Sequence, residues 1–362
     1  MPISPLPISA IDAITPAFQH AKQQLFQPFR FSQWAKLALV GFLAGELTSG
    51  GCNTGSGFQM PTHTGGSQRL LDSALPHIDP AVLGALIAVL IVIGSILMIL
   101  FLYVGSVMRF VLFDSVIGRQ CEIRRGWSSR QGPGLRYFLW QLLLMLAFLA
   151  GLAILIGVPA AFAFAVGWLR SPHEHLVPLI LGGMFLFFLL LAFLALWLAV
   201  HVFTKDFVVP QMALENITAI EGWRRLLPRL GAEKGGYAGY LAMKIVMSVG
   251  AAVIVGIIAF VVILVLLIPV GGAGVAAVLL GKTAGLTWNL YTITLAVLAA
   301  CGALAIVMYV IALISVPAIV FFPAYSIYFF AGRYGPLDLL LHGTAALPAA
   351  PFIPPAEPQL GG

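Results

Sequence analysis

The sequence predicts an all-α, polytopic transmembrane helical bundle of about six spans, on three observations. First, 60% of its 362 residues are hydrophobic and only 9% are charged, where soluble domains carry about 25% charge. Second, stretches with no charged residue run over 81–108, 137–169, 176–204, 245–281 and 283–332, each longer than the roughly 20 residues that cross a bilayer as helix. Third, the chain leaves its apolar tracts through three similar segments, FDSVIGRQCEIRRGW (113–127), VPQMALENITAIEGW (209–223) and FPAYSIYFFAGRYGP (322–336). In each, a glycine follows a marker residue by twelve positions: Asp114 to Gly126, Pro210 to Gly222 and Pro323 to Gly335. Trp127 and Trp223 follow the first two glycines directly.

The tracts are continuous rather than alternating, which fits helices and not the short, period-two strands of a membrane barrel. Four spans stand out at about 81–108, 138–165, 178–203 and 239–268, and a fifth lies within 286–331, centred near 295–320. A shorter candidate, WAKLALVGFLAGEL (34–47), carries Lys36 and Glu46 near its ends and crosses if those ends snorkel. Before it, residues 1–29 form an N-terminal segment with a candidate amphipathic helix and none of the pattern of a secretory signal. Residues 30–340 make the membrane domain, with a Gly/Ser/Thr-rich external loop at 48–69, and 341–362 are an Ala/Pro-rich tail.

Charge sorts the loops. Residues 109–136 carry Arg109, Arg119, Arg124, Arg125, Arg130 and Arg136 against Asp114 and Glu122, and 205–236 carry Lys205, Arg224, Arg225, Arg229 and Lys234 against four acids. The remaining connections are sparse in Lys and Arg, so these two loops belong inside a bacterial inner membrane. Lys22, Arg30, Lys36 and Arg333 place both termini there too, which requires 34–47 to cross. The net charge of +6 is thereby accounted for by topology and anionic lipid, with no basic surface of the kind that binds nucleic acid. Membrane lipids are the expected partners, beside membrane proteins or a second copy of the chain. The most exposed phosphate contacts are expected from Arg124, Arg125, Arg224, Arg225 and Arg229.

Each exit has the makings of an amphipathic helix. Between Pro210 and Gly222, Met212, Ile217 and Ile220 suit lipid or bundle while Glu215, Asn216 and Glu221 suit water. Proline fits a helix start, glycine a close approach, and tryptophan the headgroup level. Three related two-helix units are one reading of the matched offsets. The other is that interfacial turns in any membrane protein favour Pro, Gly and Trp.

The stretches FLYVGSVMRFVLFDSVIGR, DFVVPQMALENITAIEGWRRLLPRL and ISVPAIVFFPAYSIYFFAGRYGPL resemble those of a large group of uncharacterised bacterial integral-membrane proteins. That group is similar to the membrane region preceding the catalytic barrel in some glycerophosphodiester phosphodiesterases. The resemblance covers about 25–340 and implies a multi-helix inner-membrane domain, without supplying catalytic residues. The sequence holds no such barrel and no His-Arg-Gly segment of the type it uses, so lipid-ester hydrolysis does not carry over.

Polar residues in or beside the spans are the candidates for a pathway: Gln141, His201, Lys244, Lys282 and Asn289. His201 and Lys205 share a helical face with Asp206 beside them, and interfacial anchoring competes with ion coupling there. Lys244 can snorkel or face a carboxylate such as Asp114, Asp206 or Glu215. The stretch 271–295 reads as an external hairpin or re-entrant element. Its Gly281-Lys282-Thr283 lacks the first glycine of a nucleotide-binding loop. His173 and His175 flank Glu174 without a third metal ligand. The cysteines, Cys52, Cys121 and Cys301, show neither metal spacing nor a pair in one compartment. No cofactor and no catalytic residue is expected. The leading expectation is a noncatalytic scaffold or accessory subunit of a bacterial envelope complex, ahead of a transporter or lipid-handling protein and, third, a membrane-embedded enzyme.

Overall fold

A computed structural model describes residues 8–46, 80–168, 173, 175–283 and 290–342. Among them the chain is all helix: α1 Ile14–Phe26, α2 Phe31–Leu43, α3 Pro80–Ile117, α4 Ile123–Ala165, α5 Leu176–Phe203, a π-helical turn Thr204–Val208, α6 Val209–Glu215, α7 Ala219–Ala232, α8 Lys234–Thr283, α9 Leu290–Ala331 and α10 Gly335–His342. The protein is an all-α polytopic membrane bundle with five helices long and apolar enough to cross: α3, α4, α5 with its continuation to Glu215, α8 and α9.

The candidate span at 34–47 is not among the five. It forms α2, whose 13 residues rise about 20 Å against the roughly 30 Å of a bilayer core. Its course follows from its contacts. The Gln33 amide donates to the Arg119 carbonyl at the end of α3 (2.7 Å), and the Ala44 carbonyl accepts from Arg109 (2.5 Å). The helix thus enters from the end of α3 and reaches more than three turns in, where its Leu43 carbonyl lies close against Gly105. The external loop placed at 48–69 and the tail from 343 lie outside the described residues.

Residues 271–283, expected as a loop or hairpin, continue α8 as helix. Their glycines are set among Ala, Val and Leu, and they carry the helix of α8 on beyond its membrane-length part, Lys234–Leu266. Only 284–289, within that stretch, lie outside the described residues. The exit at 209–223 is also not one helix. Asn216 adopts a left-handed conformation (φ 54°) that ends α6, and Thr218 caps α7 by accepting from the Glu221 N–H at 3.4 Å. Asn tolerates that backbone region better than most residues, and Thr-x-x-Glu is a helix-start pattern.

Packing is concentrated at one end of the bundle. The buried core draws on α1, α2, the last turns of α3 and α9, the first turns of α4 and α8, and the segment from Phe203 to Leu226. Phe207 is its centre, with ring centroids 5.0–5.3 Å from Tyr237, Tyr240 and Phe330. The α1 face Ala17, His20, Ala21, Gln24 and Leu25 is buried at helical spacing. Away from this end packing among the described residues is sparse, with contacts such as Phe148 of α4 against Phe193 and Trp197 of α5. On α5, Val177, Phe185 and Leu196 are 68%, 70% and 65% exposed, as are many of their neighbours, and lipid or other helices must cover them. Arg333 donates to the Ile8 carbonyl at 2.9 Å, so both ends of the described chain lie at the packed end; α2 leaves that end and α3 returns to it from Pro80, so the chain passes to the far side between them although α2 alone is too short to cross.

Candidate functional site: a buried charge cluster beneath three joined exits

The exits turn out to be a single structure. Arg130 grips Asp114 with two hydrogen bonds (2.6 and 2.7 Å) and donates to the Ala213 carbonyl (2.7 Å), joining the first exit to the second. Arg136 adds a bond to the Asn216 carbonyl at 2.7 Å. The second exit is joined to the third by Tyr334, which donates to Glu215 at 2.5 Å, and by Arg333, bonded to Glu233 at 2.5 and 2.8 Å. Arg333 also lies over the Phe329 ring, 3.9 Å from its centroid, and its hydrogen bonds hold the Glu233 carboxyl below the usual range. Bidentate Arg–carboxylate pairs fix orientation as well as charge.

Two of the exits share a packing device. A Cβ on Gly126 would stand 3.1 Å from both Val111 methyls, and one on Gly222 would stand 2.7 Å from a Val208 methyl. In both places the returning helix lies directly on the span it follows, which only a missing side chain allows. No such contact forms at Gly335. Trp223 donates to Thr204 at 3.0 Å, and Trp127 meets Tyr103 edge-on.

Beneath the rim is a cluster of buried ions. Lys205 pairs with Glu46 (2.5 Å), their side chains 8% and 2% exposed, and Lys244 pairs with Asp206, both also buried. Tyr240 donates to the same Asp206 carboxylate at 2.9 Å. Arg109, 8% exposed, lies over the Tyr137 ring at 5.8 Å. It donates through Nη2 to the Ala44 carbonyl, while its Nε and Nη1 have no hydrogen-bond partner. Arg109 is eight residues before the end of α3 and Lys244 ten after the start of α8, which puts the cluster about 12–15 Å inside the rim. The π turn spans Lys205 and Asp206, and such turns recur at functional sites. A cavity of about 30 Å³ opens among Glu46, Arg109, Lys205, Asp206, Pro323 and Ser326. Among the described residues no group of three or more His, Cys, Asp or Glu could hold a metal ion.

The candidates chosen from sequence divide accordingly. Lys244 belongs to the cluster. Gln141 is adjacent to it, accepting from Ser106 (2.9 Å) and donating to the Tyr137 hydroxyl (3.1 Å). His201 is exposed and lies outside the cavity lining. Lys282 stands at the other end of α8, 38 residues from Lys244, about 57 Å along the axis. Asn289 lies outside the described residues. Of the expected lipid contacts, Arg124, Arg125 and Arg224 are exposed. Arg225 is held by Glu215 and Glu221, and Arg229 lies 5.4 Å from the Tyr334 ring centroid.

Sequence reasoning missed Arg109, counted there as loop charge, and the Glu46–Lys205 pair. Two spacings carried the signal. Arg109 and Lys205 each precede their marker residue by five positions, and Tyr137-x-x-x-Gln141 is matched by Tyr240-x-x-x-Lys244. One helix turn aligns each of the latter pairs on a single face.

With that arrangement defined, the chain can be set beside known proteins. A family model described as a family of unknown function, DUF7544, matches residues 8–340. The chain belongs to DUF7544. The matched residues take in α1, all three exits and every member of the charge cluster. None of the curated proteins and none of the solved structures matches the chain. DUF7544 membership therefore agrees with the polytopic membrane fold and assigns no reaction.

Proposed function

We propose that this DUF7544 protein is a noncatalytic integral-membrane scaffold or accessory subunit of a bacterial envelope complex. Its charged, packed end holds the spans in place, and those spans take up other membrane helices and lipid. One observation carries the reading: the packed end is locked by buried ion pairs and joined exits, while α5, among the described residues, meets α4 through Phe193 and Trp197 and is otherwise largely uncovered. A membrane protein whose work is a reaction or passage within its own bundle needs its spans closed around that site; here the spans are left open along most of their length. The likeness to the membrane region of some glycerophosphodiester phosphodiesterases fits, since such a region accompanies a catalytic domain without supplying its chemistry. The gathering of Arg and Lys at the packed end supports the cytoplasmic side of a bacterial inner membrane for that end and for both termini. It also supports anionic-lipid contact by Arg124, Arg125 and Arg224.

Photo-crosslinking in native membranes tests this. Probes placed at Ile180, Phe185 and Leu196 should yield discrete protein adducts, with a second copy or another membrane protein, from at least one face of α5. Lipid adducts alone from every position would contradict the scaffold reading.

A second reading, ion-coupled transport, is favoured by the charge cluster, because ionisable groups inside a membrane commonly mark ion pathways. It predicts selective solute flux in reconstituted vesicles that Asp206→Asn abolishes. Absence of flux in the wild-type protein removes it.

A further inference from the structure

The turn between α1 and α2 meets the end of α3 around a second polar cavity, separate from the charge cluster. It measures about 290 Å³ and is lined by Gln23, Gln27, Arg30, Gln33, Arg119 and Gln120, with no carboxylate in its wall. Both arginines are exposed, and among the described residues neither forms an ion pair. Capping α3 would be the ordinary task for cations here, but the carbonyls at that end are already taken. Ser115 accepts from the Gln24 amide (2.8 Å), Val116 from His20 (2.8 Å) and Arg119 from the Gln33 amide (2.7 Å). Arg119 also interacts with the Tyr328 hydroxyl, which brings no charge. Its own backbone is left-handed (φ 53°), a conformation that glycine usually fills at a helix end. Gly118 stands one position earlier, and it is the arginine whose side chain reaches the cavity wall.

Two guanidinium charges on one wall call for an anion. Their sum matches the roughly −1.5 to −2 of a phosphate monoester near neutral pH, and guanidinium N–H groups pair with phosphate oxygens two at a time. A carboxylate or a phosphodiester carries about half that charge. The volume is at the lower end of small-ligand sites, about 300 Å³ upward, which suits a phosphate and the group next to it. On either side of Arg30, Phe29 and Phe31 are 58% and 64% exposed and stay off the cavity wall. An apolar patch beside a basic hollow is the pattern of an element lying at a membrane surface. We propose that this cavity binds a terminal phosphate group, its oxygens held by Arg30 and Arg119. A lipid headgroup and free phosphate both present that chemistry, and the test separates them. The inference is independent of what the spans carry.

The test uses the delipidated full chain in mild detergent, with thermal unfolding followed by tryptophan fluorescence at constant ionic strength. One arm adds phosphatidate in mixed micelles, a second phosphatidylglycerol and a third inorganic phosphate. The expected result is a saturable rise in Tm of about 3 °C or more with phosphatidate, and a clearly smaller one with the diester phosphatidylglycerol. A saturable rise with inorganic phosphate and none with phosphatidate assigns the site to free phosphate. Arg30→Gln/Arg119→Gln should abolish the saturable part. Lys22→Gln, which removes a neighbouring exposed cation that does not line the cavity, should keep it. No saturable rise with either phosphatidate or inorganic phosphate overturns the proposal. So does an equal rise with phosphatidylglycerol, a rise that survives the double variant, or one that Lys22→Gln removes as well. Should the double variant fail to fold, Arg30→Gln alone decides: binding of the stabilising ligand weakened by about tenfold supports the site, and unchanged binding overturns it.

Discussion

Asp206 and Lys244 lie on different helices and meet below the rim, with Tyr240 completing the carboxylate's coordination. Removing one partner of a buried pair strands the other, at a cost of about 3–5 kcal/mol, whereas replacing both with apolar groups is close to neutral. Asp206→Asn should therefore lower the thermal stability of the detergent-solubilised protein sharply, and Asp206→Leu/Lys244→Met should recover most of the loss. A double variant as unstable as the single one would show that the pair does more than neutralise itself. His20 offers a pH-dependent counterpart outside the spans. Its Nε2 donates to the Val116 carbonyl (2.8 Å), so the neutral ring accepts from the Tyr328 hydroxyl (3.3 Å) through Nδ1. Burial above all, and nearby Arg119, lower its pKa below the ordinary 6.5 despite the Val116 bond. The unfolded chain then takes the proton first. The stability His20 contributes is complete above pH 6.5 and is lost as pH falls through the lowered value. The wild-type protein should lose Tm between pH 7 and about 5 more steeply than His20→Gln, and parallel curves would remove His20 as the cause. At this scale the sequence was partly legible. Lys244 stood out because a lysine in an apolar tract needs an explanation. Arg109 did not, because a cation near a span's end looks the same whether it meets lipid phosphate or a buried cavity.

At the scale of the element, close approach governs the returning helices. A Cβ on Gly134 of α4 would lie 2.6 Å from a Val107 methyl and 3.1 Å from its Cα, while one on Gly132, half a turn away, meets nothing within 4 Å. Gly134→Ala should thus destabilise by about 1–3 kcal/mol through overpacking, whereas Gly132→Ala should be neutral or stabilising by up to about 1 kcal/mol. Equal effects in thermal unfolding would mean that α3 and α4 are not held this closely. The long spans were readable from length and hydropathy. Two features were not. The stretch 271–283 reads as a hairpin because glycine and Lys-Thr suggest a turn, but its Ala, Val and Leu residues continue the α8 helix begun in the span. The break at Asn216 was hidden because residues 209–223 keep a helical periodicity across it, which outweighed the local signals of Asn216 and the Thr218-x-x-Glu221 start.

At the scale of the molecule, apolar composition decides the all-helical membrane fold and leaves the arrangement of spans open. Hydropathy measures how apolar a segment is, and a span packed on its neighbours and a span bare to lipid have the same composition. That is why α3 near Arg109 and α5 near Phe185 look alike as text and differ completely in burial. The meeting of the three exits was likewise beyond the sequence, since Arg130, Glu215 and Arg333 find one another only once the bundle has formed. The central claim is that a locked, charged end holds open spans for other membrane components. Native mass spectrometry of the protein, extracted with its surrounding membrane in polymer-bounded discs, tests it most directly. The account predicts a defined assembly containing a second copy or another membrane protein. A monomer accompanied only by lipid would contradict it.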